Sequence, residues 1–350
     1  MISVIMPTHN KSMYLNFTLL AYRNQTSKNF EIVLVDDGST DNTRNVYEEN
    51  KEFLNITYLY QTKGNAAKAR NVGLAHAKGD MIVFADDDRV PCEEYILTIE
   101  KTLKGRKKSV LIGYKEEILT VYQRFINLQD SVEAVARRKL CCKKEDKIEC
   151  GEVLIDENDI LNNFSDTMKN MFLKVPYDNY MFVTDKLGNE MKGFRLGWAM
   201  ATTANIAFCR EGAEKIFFDE NYVGWGVEDI DFAYQLKEAG FSFFFCKEAI
   251  NYHQKHLTNS KKWETFKRNM TYFCIKYPNL DVFFYYQSFQ SRDKSFDYLK
   301  GNEMLMEIEE QKDDSIVRCF VNHMFHLWKE QQSGIFEQYK GEINESNCCK

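Results

Sequence analysis

The spacing of apolar residues changes several times in the first hundred positions. Residues 2–6 and 31–35 are short, nearly continuous apolar runs, the first closed by Pro7, and residues 56–60 and 81–84 repeat the pattern. Runs of this length bounded by turn residues predict buried strands. Between them, residues 14–25, 43–51 and 66–77 carry apolar side chains at helical spacing, and the second of these follows a stretch of turn and N-cap residues, Asp36-Asp37-Gly38-Ser39-Thr40-Asp41. Strand and helix alternating at this rhythm predict an α/β fold whose parallel sheet is covered on both faces.

From residue 114 to about 192 the pattern loses regularity and becomes charged and rich in Asn and Asp, which predicts an insertion with a mobile loop at 176–192. Alternation returns at 203–208. Residues 232–239 predict a helix ended by Gly240, and 241–246 a further strand. Beyond His256 the chain turns helical and aromatic, at 263–277, 304–311 and 317–331. The expected organisation is a core at 1–256, divided into 1–113, the insertion 114–192 and a second half 193–256, followed by a helical extension at 257–350. Phe283-Phe284-Tyr285-Tyr286 fits core packing or a dimer face, with peptide or polyprenyl binding as the competing role.

Composition narrows the class. The chain has 350 residues, 44% of them hydrophobic, and a net charge of −6, which excludes a nucleic-acid partner that needs a basic face. The basic run of Lys104, Arg106, Lys107 and Lys108 reads as a solvated turn. With no long apolar span and no signal-like N-terminus, the expectation is a cytoplasmic protein without a transmembrane segment, open to peripheral membrane association and to homodimerisation. The ten cysteines are then reduced thiols; Cys141-Cys142 with Cys150 lacks zinc-finger spacing, and Cys348-Cys349 lies on a polar tail.

In open α/β sheets ligands sit beyond the carboxyl ends of the strands. Three polar clusters fall there: Pro7-Thr8, Asp36-Asp37 and Asp86-Asp87-Asp88. Side-chain alternation along the strand predicts that Asp86 and Asp88 converge while Asp87 points away. Converging carboxylates are favourable around a hard divalent cation, Mg²⁺ or Mn²⁺, which brings phosphate oxygens with it; an acidic turn is the plain alternative. A second acidic stretch, Gly224-Trp225-Gly226-Val227-Glu228-Asp229-Ile230-Asp231, follows much later. His323 and His326, three apart on a predicted helix, read as surface or core histidines.

Ser3-Val4-Ile5-Met6-Pro7-Thr8-His9-Asn10, Val35-Asp36-Asp37-Gly38-Ser39-Thr40-Asp41, Ala69-Arg70-Asn71-Val72-Gly73 and Phe84-Ala85-Asp86-Asp87-Asp88 resemble, in order and spacing, family 2 glycosyltransferases of the GT-A fold. The second acidic stretch followed by His253 resembles the C-terminal half of galactosyltransferase-like and chondroitin-polymerase-like enzymes. The resemblance implies a Rossmann-like mixed sheet flanked by helices, with a nucleotide-binding half and an acceptor half, and a metal-dependent inverting transfer from a UDP-sugar. Pro7 and Thr8 would line the uridine pocket, Asp37 would accept from the uracil ring and Arg70 would lie near the base. Asp86 would lie near the ribose, with Asp87 in the same nucleotide-sugar site, and Asp88 would hold the metal with His253, His256 being the competing ligand. Asp229 would be the base, Glu228 would position acceptor or sugar, and Trp225 would stack on a sugar face. Thr203-Ala204-Asn205 stands where relatives often have a glycine pair, so the donor sugar does not carry over. A glycan acceptor is the default and a Ser, Thr or Cys of a peptide the alternative. A nucleotidyltransferase is disfavoured because residues 7–11 are not a glycine-rich basic loop. An inactive sugar-nucleotide-binding protein is disfavoured because the acid set is complete.

Overall fold

A computed structural model describes residues 1–123, 131–136, 148–174, 179–257, 262–290, 297–311 and 315–330. Cys141, Cys142, Cys348 and Cys349 and the first part of the expected 176–192 loop lie outside the described residues. Nine strands form one sheet: β1 (Ile2–Thr8), β2 (Phe30–Asp36), β3 (Ile56–Tyr60), β4 (Met81–Phe84), β5 (Arg89–Pro91), β6 (Ser109–Ile118), β7 (Phe172–Leu173), β8 (Ile206–Cys209) and β9 (Ser242–Gln254). Their order is β3-β2-β1-β4-β8-β6-β9-β5, with β7 beside β6. The first four pair in parallel and are crossed over by α1 (Ser12–Arg23), α2 (Thr43–Asn50) and α3 (Ala66–His76).

The apolar runs are continuous because both faces of this sheet are covered. Val4 and Met6 pack on one side with Leu15, Tyr22 and Ile32, while Ile5 packs on the other with Phe84, Phe208 and Phe232. Past β4 the sheet turns mixed. β8 runs antiparallel to β4 and β6, whereas β9 is parallel to β6 and antiparallel to β5.

Three expectations are corrected. β9 does not end at residue 246 but continues to Gln254, because Asn251 and Gln254 find buried partners in Ala204 O, Tyr14 O and Thr18 Oγ1. Asn179–Leu187 is a helix, not a loop; Val183 is buried in the same core as Trp198. Leu280–Gln290 is a helix that helical spacing did not reveal, since its apolar residues surround the axis instead of forming one stripe.

The helices Lys262–Lys276, Leu280–Gln290, Tyr298–Gln311 and Ser315–Glu330 add to the sheet's own core. Phe273 and Tyr285 pack around Trp198, and Trp198 Nε1 and Tyr234 OH both donate to the Asp281 carboxylate, at 3.1 and 3.2 Å. Phe284, Tyr285 and Tyr286 are therefore core residues. His323 and His326 are exposed. Cys92, Cys150, Cys209, Cys246, Cys274 and Cys319 are unpaired. Among the described residues no helix is long and apolar enough to cross a membrane.

Candidate active site

A cavity of about 830 Å³ opens at the carboxyl ends of β1, β2 and β4. Pro7, Thr8, Asp37, Arg70, Asp86, Asp87, Trp225, Glu228 and Asp229 all line it, so the two acidic stretches share one space. Thr203 and Ala204 line it too, whereas Asn205 turns inward, donating to Tyr114 O and Ala249 O. A smaller hollow of about 600 Å³ near Cys92, Glu116 and Tyr252 lies away from these strand ends.

The first acidic stretch does not follow strand alternation, because β4 stops at Phe84 and the chain leaves it for a turn at Asp87 and Asp88. Its three carboxylates therefore point to different neighbours, although Lys11 Nζ reaches both Asp87 and Asp88. Asp86 meets Arg70 Nη2 at 3.2 Å, Asp87 accepts from Thr8 Oγ1 at 2.7 Å, and Asp88 faces the histidines of β9 and its end. The expected convergence of Asp86 with Asp88 is thus replaced by a fan.

Arg70, presented by α3, ties the two stretches together. Its Nη1 donates to Glu228 at 3.0 Å while Nη2 holds Asp86, and its guanidinium lies 5.5 Å from the ring centre of Phe218. Glu228 is thereby occupied by a cation, and Asp229 keeps no ion-pair partner among the described residues. Burial, and then the charge of Glu228, push Asp229 up to about 7. Asp229 does not cap the helix Glu228–Glu238, whose N-cap is Val227; its Oδ1 accepts only from the next N–H, that of Ile230, at 2.8 Å. Asp37 accepts from Gln61 Nε2 at 2.6 Å and from Gly64 N–H at 2.7 Å.

The loop before Glu228 is held from outside the sheet. Gly224 and Gly226 have φ of +79° and +93°, and a Cβ on Gly224 would stand 2.6 Å from Thr265 Cγ2. The loop can therefore lie flush on the helix Lys262–Lys276. Thr265 Oγ1 accepts from Trp225 N–H at 3.1 Å, and buried Asn269 donates to Val223 O and Gly226 O at 3.1 and 2.8 Å. Lys276 pins Asp231 at 2.8 Å and Asp219 at 2.7 Å. Sequence reasoning missed Thr265, Asn269 and Lys276, and no motif marks them, since they bind backbone or carboxylates far away in the chain.

Asp88, His253 and His256 bring one ligand atom each within 4.8 Å of one another. Register explains part of this. β9 sets His253 opposite Glu117 of β6 and Arg89 of β5. Glu117 lies 2.7 Å from His253 Nδ1, and a carboxylate can only accept, so Nδ1 carries the hydrogen and Nε2 offers its lone pair 3.8 Å from Asp88 Oδ2. Burial and then Arg89 lower His253, which favours the neutral ring. In His256 both ring nitrogens face acceptors, Nδ1 the Leu257 carbonyl and Nε2 Asp88 Oδ2, each at 3.0 Å, so Nε2 donates to Asp88 and would give up that hydrogen to a cation. Two imidazole nitrogens and a carboxylate oxygen this close together are a donor set that fits a divalent cation. Both histidines lie in this cluster beside Asp88.

Buried donors without partners border the same space. Arg70 Nε and Arg89 Nη1 have no hydrogen-bond acceptor, Arg89 Nε has only the Asp88 carboxylate at 3.8 Å, and Arg70 and Arg89 line the cavity. Orphaned buried guanidinium donors call for an anionic ligand.

Comparison with known proteins agrees with this geometry. Residues 3–149 match the family described as glycosyl transferase family 2. Over 340 residues the chain is 28% identical to an uncharacterized glycosyltransferase, YfnE, of Bacillus subtilis (strain 168), covering 94% of this chain and 84% of that protein. It is 29% identical to a chondroitin synthase of Pasteurella multocida (strain Pm70), covering 73% of this chain but only 25% of that longer protein. In fold it is similar to S. aureus TarS 1-349 crystallised with UDP-GlcNAc, with a TM-score of 0.52, 18% identity, and coverage of 89% of this chain and 77% of that one. The chain is a glycosyltransferase on a GT-A fold, and its residues 3–149 are similar to glycosyl transferase family 2.

Proposed function

We propose that this glycosyltransferase moves a sugar from a UDP-sugar to a hydroxyl of a glycan acceptor, with inversion and with help from a divalent cation. The observation that carries the proposal is the single cavity in which Arg70 joins Asp86 to Glu228, with the Asp88–His253–His256 set beside it and a lone carboxylate, Asp229, poised near 7. Pro7, Thr8 and Asp37 border the end of the cavity suited to the nucleoside, with Asp86 and Asp87 beside them, while Arg89 offers unpaired donors to a diphosphate. The S. aureus protein of the same fold was crystallised with UDP-GlcNAc, which supports a UDP-sugar as donor. A Mn²⁺ or Mg²⁺ ion held by Asp88, His253 and His256 would neutralise the diphosphate of the leaving UDP.

Asp229 accepts the proton of the acceptor hydroxyl as that oxygen bonds to the anomeric carbon. The bond from that carbon to the diphosphate breaks on the opposite face, and UDP leaves with the electron pair. A carboxylate near 7 suits this role, because a base works best when its pKa lies near the working pH. Glu228, fixed by Arg70, orients acceptor or sugar without competing for the proton. Trp225, 48% exposed, and Phe289, 45% exposed, flank the cavity with Phe266, and aromatic faces of this kind stack on the C–H faces of sugar rings. In this account residues 1–113 serve the nucleotide, 193–256 the acceptor, and the helices beyond 257 support the acceptor loop. Unpaired thiols fit a reducing, cytoplasmic setting.

The test is a panel of UDP-sugars with Mn²⁺ or Mg²⁺, scored for UDP release and sugar transfer with and without EDTA. Release with one donor that EDTA abolishes is the expected result. No release with any donor, or release that EDTA leaves intact, would overturn the proposal.

A further inference from the structure

The cluster of Asp88, His253 and His256 already has a cation beside it. Lys11, between β1 and α1, brings its Nζ to 2.5 Å from Asp88 Oδ2, 3.2 Å from His256 Nε2 and 3.5 Å from Asp87 Oδ1. The ammonium thus sits on two of the three atoms that would hold a divalent cation. Lys11 lines the cavity and the buried Asp88 does not, so the ammonium stands between the donor space and the carboxylate. A buried carboxylate needs cationic partners, and the ammonium supplies one beside the Arg89 guanidinium, whose Nε lies 3.8 Å from Asp88 Oδ1.

Resting on the assignment of Asp88, His253 and His256 as the cation site, we propose that Lys11 is the resident counter-ion of that site and competes with the divalent cation for Asp88 Oδ2. An ammonium and a divalent ion repel each other strongly at contact distance, so the two cannot share that oxygen. When the divalent ion enters, the ammonium steps to Asp87, whose Oδ1 is already within 3.5 Å. No bond is made or broken in the exchange; one cation replaces another on the same carboxylate. The consequence is a nucleotide-free protein that binds its divalent ion weakly, by construction of its own chain.

The full-length protein, free of nucleotide, is titrated with Mn²⁺ by calorimetry and by the electron paramagnetic resonance signal of free Mn²⁺. Lys11→Met should bind Mn²⁺ at least about tenfold more tightly than the wild type, because it removes the competing charge and keeps the aliphatic stem. Lys11→Arg keeps the charge and should bind as weakly as the wild type, which separates competition from general disturbance. Lys11→Gln, read by the same criterion, replaces the Met variant if that one does not fold. Asp88→Asn should abolish binding in every background. Unchanged or weaker Mn²⁺ binding in the uncharged variants overturns the proposal while leaving the cation site standing. Binding that survives Asp88→Asn overturns the site, and the proposal with it.

Discussion

Replacing the proposed base should make the protein more stable as it makes it inactive. In Asp229→Asn the side-chain oxygen can still accept from Ile230 N–H, so the geometry is retained while the ionisable proton is lost. Asp229 stands at about 7 in the folded protein against an ordinary value of 3.8. Its raised value means that wild-type stability is fully present below about pH 4 and is lost as pH rises through 7, because the unfolded carboxyl ionises freely and the folded one resists. A gap of about 3 pH units, at about 1.4 kcal/mol each, sets an upper limit of about 4 kcal/mol. Water in the open cavity screens part of that, which leaves about 2 kcal/mol. The asparagine variant escapes this loss. Urea unfolding at pH 4.5 and pH 8 should therefore show the variant near the wild type at the lower pH and about 2 kcal/mol more stable at the higher. An equal difference at both pH values, or a variant less stable at pH 8, would refute the claim that Asp229 is a destabilised, functional carboxyl.

The same shift predicts that wild-type kcat/KM falls as pH drops through about 7, on the side where Asp229 gains its proton; a flat profile from pH 5 to 8 would contradict its role as base. Asn269→Leu strands Val223 O and Gly226 O and should cost roughly 2–3 kcal/mol of stability, lowering transfer far more than UDP affinity; equal losses in both would argue against a loop clamp. Trp225→Ala should raise the acceptor KM about tenfold and leave UDP binding, measured by calorimetry, unchanged.

How far these features were legible in the sequence follows from the physics of each. β1 to β4 were readable because a sheet covered on both faces demands apolar residues at successive positions, as Val4, Ile5 and Met6 show. β9 beyond Cys246 was not, since Asn251 and Gln254 are polar residues made tolerable only by partners elsewhere in the chain. The acids at 86 to 88 announced themselves as a motif, but their directions depend on the strand ending at Phe84, which leaves a turn where alternation does not hold. Glu228 and Asp229 could be named without knowing that Arg70 would divide them into a neutralised acid and an ionisable one. Lys11 was invisible as chemistry, because its position against Asp88 exists only once α1 has docked beside β5. The buried helix Leu280–Gln290 lacked a polar face to give it away.

The central claim is a division of labour: Asp88 serves the departing UDP and Asp229 the incoming hydroxyl. Measuring UDP affinity in the presence of Mn²⁺ alongside sugar transfer, for Asp88→Asn and Asp229→Asn in parallel, tests it most directly. The account predicts that Asp88→Asn loses metal-dependent UDP binding and transfer together, whereas Asp229→Asn binds UDP as the wild type does and transfers nothing. Retained transfer in Asp229→Asn, or the same loss of UDP binding in both variants, would contradict it.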